Sequence, residues 1–121
     1  VGRIYPNYSI GTHGLSGFRL NIKPGLRGSF LELYINETRL IANAPCEWAN
    51  DMWSSMRLQV KDIGNGQVQV KGKIWKRGDR EPNWQLVYTG NLELEEGQCS
   101  IWGIPYSGKD IFFDNLVVTK P

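Results

Sequence analysis

Two runs of strict alternation flank a Gly-Asn-Gly tripeptide, and nothing else in the chain restricts the fold so much. Before the turn, Met56, Leu58 and Val60 alternate with Arg57, Gln59 and Lys61; after Gly64-Asn65-Gly66, Val68, Val70 and Ile74 alternate with Gln67, Gln69, Lys71 and Lys73. An extended strand sends successive side chains to opposite faces, so period two sorts apolar from polar residues. The glycines and Asn65 supply the left-handed conformations of a tight turn. The pair reads as a β-hairpin with one face buried and the other wet.

Other segments repeat the pattern. Phe18, Leu20 and Ile22 alternate with Arg19, Asn21 and Lys23 before Pro24-Gly25; Leu31, Leu33 and Ile35 alternate with Phe30, Glu32, Tyr34 and Asn36. Shorter strands are expected around 38–44, 84–89, 98–104 and 111–119. Gly78-Asp79, Pro82, Gly90-Asn91, Gly97, Pro105 and Gly108 separate them. No window carries a capped helical stripe. Many short strands rich in Val, Ile, Trp and Tyr predict an all-β, antiparallel two-sheet sandwich. One inner face should gather Leu20, Ile22, Leu33, Met56, Leu58, Val60, Val68, Val70, Ile74 and Ile101.

The length of 121 residues fits one domain, 1–121, and not two independent cores. No apolar run approaches the ~20 residues of a membrane-spanning helix, and no segment reads as a signal peptide. The opening Val1 fits a processed form or an excised piece. A net charge of +2 is too weak to imply a nucleic-acid or membrane partner. The charges are nevertheless uneven: residues 57–80 hold seven Lys/Arg against two Asp, and 81–114 hold six acids against one Lys. On alternating strands such a basic run reads as a solvated face.

Cys46 and Cys99 match no zinc or CxxC spacing, which leaves two buried thiols or one disulfide. Cys99 shares parity with Ile101 and Cys46 lies beside Pro45 near a strand end. Both are therefore expected to point inward, within bridging distance. Asn7-Tyr8-Ser9 and Asn36-Glu37-Thr38 are glycosylation acceptor patterns compatible with export.

Met52-Trp53-Ser54-Ser55-Met56-Arg57-Leu58-Gln59-Val60, then Gly72-Lys73-Ile74-Trp75 with Glu81-Pro82-Asn83-Trp84, resemble strand signatures of concanavalin A-like (laminin-G-like) jelly-roll modules. Ile101-Trp102-Gly103 and Phe113-Asp114-Asn115-Leu116-Val117-Val118 are similar to their closing strands. Such modules occur in exported bacterial proteins, joined to quinoprotein-like propellers or glycan-active enzymes. The likeness covers about residues 50–119 and is loose before them. It implies jelly-roll connections, an extracellular or periplasmic setting and a carbohydrate-binding, non-catalytic role. Complete modules of this kind begin a strand or two before Val1. The likeness therefore implies a trimmed sandwich, or first strands supplied by another domain or chain. Similar jelly rolls also bind calcium through an acid in the last strand, which would place Asp114 and Asp110 at a metal.

Catalysis finds little support. His13 is the only histidine, and Gly14-Leu15-Ser16-Gly17 has the wrong spacing for a nucleophile elbow. Glycoside hydrolysis needs paired carboxylates roughly 5–9 Å apart. Glu32 stands isolated between leucines, Glu37 has the opposite parity, and Glu93, Glu95 and Glu96 read as loop. Three classes remain: a lectin-like module, a structural domain that packs against a larger exported protein without a ligand, and, least supported, a small hydrolase or lyase with Glu32 as its acid. A sugar needs amide or carboxylate partners for its hydroxyls and an aromatic ring for its C–H face. Trp102 and Trp75 are the expected platforms, with Tyr34, Gln59 and Glu32 as hydrogen-bonding partners in one shallow groove. The competing expectation has Trp75 and Trp84 clamping the Lys76–Pro82 loop.

Overall fold

The computed structural model describes residues 7–49, 52–94, 97–104 and 110–119. The turn signals at Pro105 and Gly108, and the acids Glu95 and Glu96, lie outside them. Eight strands run β1 (Asn7–Thr12), β2 (Phe18–Lys23), β3 (Ser29–Ile35), β4 (Arg39–Cys46), β5 (Ser54–Gly64), β6 (Gln67–Lys76), β7 (Leu86–Asn91) and β8 (Ser100–Ile104). Among the described residues there is no helix. One antiparallel sheet has the order β4-β3-β2-β1-β8 and the other β5-β6-β7. Each sheet is built mainly from consecutive hairpins, with β8 returning to pair with β1.

The β5–β6 hairpin forms as the alternation predicts. Gly64, Asn65 and Gly66 have φ of 88°, 56° and 70°, and Asp62 Oδ1 accepts the Gly64 N–H at 2.9 Å. The register sets Met56 opposite Ile74 and Val60 opposite Val70 on the inner face. Phe18, Leu20, Ile22, Leu31 and Leu33 from the wide sheet meet Val68, Val70, Ile74 and Leu86 from the narrow one, all fully buried. Each such side chain stabilises the fold by about 1.5–3 kcal/mol. Gly72 marks the closest approach of the layers: a Cβ there would stand 2.7 Å from Leu20 Cδ1.

The sheets differ in width, and this governs the rest. β7 packs over β4, β6 over β3 and β5 over β1, so among the described residues no strand lies squarely over β8. Ile101 consequently remains 40% exposed despite its inward parity. Met56, Leu58 and Val60 on edge strand β5 are only partly buried.

Two expectations are corrected and one strand is added. Residues 110–119 form no strand: Asn115 sits at φ 54° and Asp114 Oδ1 takes its N–H at 2.9 Å, a local turn that breaks extension. Strand β1 is present where the sequence showed only a polar acceptor pattern. Cys46 and Cys99 are both free thiols. They lie at opposite edges and opposite ends of a five-stranded sheet, separated by roughly 19 Å across the strands alone, whereas a disulfide needs Cα atoms within about 7 Å; Cys99 is moreover exposed rather than inward.

Candidate functional site

The outer face of the wide sheet carries a polar cluster. β2 contributes Arg19 and Asn21, and the register sets them opposite Tyr34 and Glu32 of β3 and Gly11 and Ser9 of β1. β8 adds Trp102 opposite Ser9 and Ser100 opposite Gly11. Arg19 is the hub. Its guanidinium carbon lies 4.7 Å from the Tyr34 ring centre and 5.4 Å from that of Trp102, within cation–π range. It donates to Ser9 Oγ at 3.2 Å and to the Glu37 carbonyl at 2.9 Å. Trp102 is fixed in turn, its indole N–H donating to Ser100 Oγ at 2.7 Å. Gly11 leaves room beneath: a Cβ there would collide with Ser100 Oγ.

Glu32 is 7% exposed, and its Oε1 accepts from Asn21 Nδ2 and the Tyr34 hydroxyl, both at 3.1 Å. It thus orients Asn21 and Tyr34. Two buried polar atoms of this cluster lack a partner, Arg19 Nε and Asn21 Oδ1. Buried polar atoms are nearly always hydrogen-bonded, so one orphan donor and one orphan acceptor two residues apart on one strand are notable.

Trp75 and Gln59 do not join this face. Both project from the outer side of the narrow sheet, across the sandwich from Trp102, Tyr34 and Glu32. The expected single groove therefore does not form, because the two indoles belong to different sheets. Trp75 instead flanks Lys73, whose Nζ lies 5.5 Å from its ring centre and 4.5 Å from that of Trp84. Lys73 also donates to Glu81 Oε2 at 3.0 Å and to the Pro82 carbonyl at 2.9 Å. Gln85 bonds both the N–H and the C=O of Ile74 through its side-chain amide. Lys73, set between the two rings, thus ties the 76–82 loop to β6 through Glu81 and Pro82.

Asp110 and Asp114 are exposed. Among the described residues no three His, Cys, Asp or Glu side chains converge to hold a metal, and Asp114 caps a turn instead. A concavity of about 360 Å³ lies beside Gly103 and Asp110–Phe113, apart from both aromatic clusters. Sequence reasoning puts Arg19 and Asn21 on the outward face without singling them out, and misses Ser9. Outward parity on β2 was the available signal for the first two, whereas Ser9 required knowing that β1 exists. Comparison with protein-family models, curated proteins and solved structures finds no match for the chain.

Proposed function

We propose that this is a non-catalytic carbohydrate-binding module whose sugar site is the Arg19–Trp102 cluster. One observation carries the reading: the Trp102 ring, its indole N–H bonded to Ser100, packs on Arg19, whose Nε is an orphan donor, and an orphan acceptor, Asn21 Oδ1, follows two residues on. A sugar hydroxyl can accept from the first and another can donate to the second, and a sugar presents hydroxyls next to an apolar C–H face. The carboxylate of Glu32 lies on the same face as the Arg19 guanidinium, which favours a neutral sugar. Both orphan atoms are buried, so a hydroxyl reaches them only when a neighbouring side chain shifts, and Trp102, which packs on Arg19, gives a fluorescence readout of binding there. The concanavalin A-like jelly-roll connections and an extracellular or periplasmic setting go with this reading.

Screening the protein on a neutral oligosaccharide array, followed by fluorescence titration of the best hit, tests the proposal. Wild type is expected to bind with little salt dependence, and Trp102→Ala to stay folded and lose binding. An array with no neutral hit overturns it.

One observation favours a second reading, a structural domain that packs against another domain or chain supplying strands. Phe112, Leu116, Val117 and Val118 are 58–76% exposed in one short segment, a concentration of apolar surface that suits burial against a partner.

A further inference from the structure

The outer face of the narrow sheet holds a second feature, unconnected with the sugar cluster. Residues 57–81 carry seven of the fourteen Lys/Arg and three of the twelve acids, which leaves the remainder of the chain with seven cations and nine acids. The protein is therefore electrically polarised despite its small net charge. The register orders the charges on strands β5 and β6. Arg57 faces Lys73, Gln59 faces Lys71 and Lys61 faces Gln69, all on the outer face. Arg57 and Lys73 share Glu81 as counter-ion at 3.2 and 3.0 Å. Lys61 and Lys71 have no carboxylate partner among the described residues, although Lys71 Nζ lies 5.9 Å from the Trp84 ring centre. They are diagonal neighbours, about 7–8 Å apart at the backbone, with Gln59 and Gln69 filling the alternate squares. Val87 and Thr89 of β7 continue the flat face beside them.

We infer that this checkerboard of amides and of cations without a carboxylate partner is a docking surface for an acidic polysaccharide, one carrying carboxylates along a hydroxyl-rich chain. The lysines answer the carboxylates and the amides answer the hydroxyls in the same alternating order. A single-stranded nucleic acid fits less well, because it binds through rings that stack its bases. Between Lys61 and Lys71 the face offers amides, and the nearby rings already carry lysines: Trp75 carries Lys73, and Trp84 carries both Lys73 and Lys71. The site lies across the sandwich from Arg19 and Trp102, so it stands whether or not the neutral-sugar site does.

The test is titration of the whole protein with an oligogalacturonate at low and at physiological salt, against its carboxyl-reduced counterpart. Wild type should bind the acidic oligomer, weaken as salt screens the charges, and ignore the reduced one at this face. Lys61→Gln with Lys71→Gln should lower affinity about tenfold and leave the melting temperature unchanged, since both side chains point outward. Trp102→Ala should bind the acidic oligomer like wild type. Absence of wild-type binding at low salt, unchanged affinity in the double variant, or tighter binding of a single-stranded oligonucleotide each overturns the inference.

Discussion

The two outer faces of this sandwich carry the same device, a cation held between two aromatic rings, and differ in how it is satisfied. On the narrow sheet Lys73 lies between Trp75 and Trp84, is 5% exposed, and gives its protons to Glu81 and the Pro82 carbonyl. On the wide sheet Arg19 lies between Tyr34 and Trp102, takes only neutral acceptors, and keeps Nε unbonded. The first arrangement is complete within the chain and closes a loop. The second leaves hydrogen-bonding capacity unspent beside a buried amide oxygen. An aromatic–cation cluster thus signals a site only when its polar atoms are not already consumed by the fold.

The widest difference to exploit lies beneath these faces. Leu20 is fully buried against Gly72, whereas Leu58 sits on edge strand β5. Leu20→Ala should cost about 3–5 kcal/mol by denaturant unfolding, and Leu58→Ala about 1–2 kcal/mol because its cavity opens to solvent. Equal costs would mean that β5 is covered in solution. Next, Lys73→Met should destabilise by about 2 kcal/mol, since it frees the 76–82 loop and leaves Glu81, itself half-exposed, without its nearer cation. Arg19→Gln should cost about 1 kcal/mol or less, because no ion pair is lost and an orphan donor is removed. A larger loss from Arg19→Gln than from Lys73→Met would reverse the contrast drawn above.

The smallest effect concerns the edge of the wide sheet. Burial pushes the Cys46 thiol from 9.0 up to about 11, partly opposed by a backbone hydrogen bond with Leu31. The folded state then holds its proton more tightly than the unfolded chain. The stability this confers is complete below about pH 9 and is lost as pH rises towards 11. Burial raises the Tyr8 hydroxyl as well, which steepens the decline above pH 10. Unfolding at pH 8 and pH 10.5 should show a smaller drop for Cys46→Ala than for wild type; equal drops would place the titration elsewhere.

Strands whose outward residues are long and polar were legible in the sequence. The alternation at 18–23 and 56–74 gave both the strand and its face, because period two has a single structural reading. β1 was not legible, since Asn-Tyr-Ser-Ile-Gly-Thr holds too few apolar residues to alternate, and its burial comes from β2 and β8 on either side. The apolar run 111–119 misled for the opposite reason: strand propensity forms a strand only where an edge pairs with it. β7 begins two residues later than expected because the side chain of Gln85, rather than a further backbone ladder, meets Ile74. In the candidate site, parity placed Glu32, Tyr34 and Trp102 on outward faces. It did not say which sheet each strand joins, so Trp75 and Gln59 were grouped with residues on the far side of the molecule.

The most direct test is calorimetric titration of one neutral oligosaccharide into wild type, Trp102→Ala and Trp75→Ala, each checked for folding by its melting curve. The asymmetry between the faces predicts that Trp102→Ala melts near wild type and no longer binds, while Trp75→Ala melts earlier and, below its transition, binds with wild-type affinity. Binding retained by Trp102→Ala, or lost in folded Trp75→Ala, would contradict it.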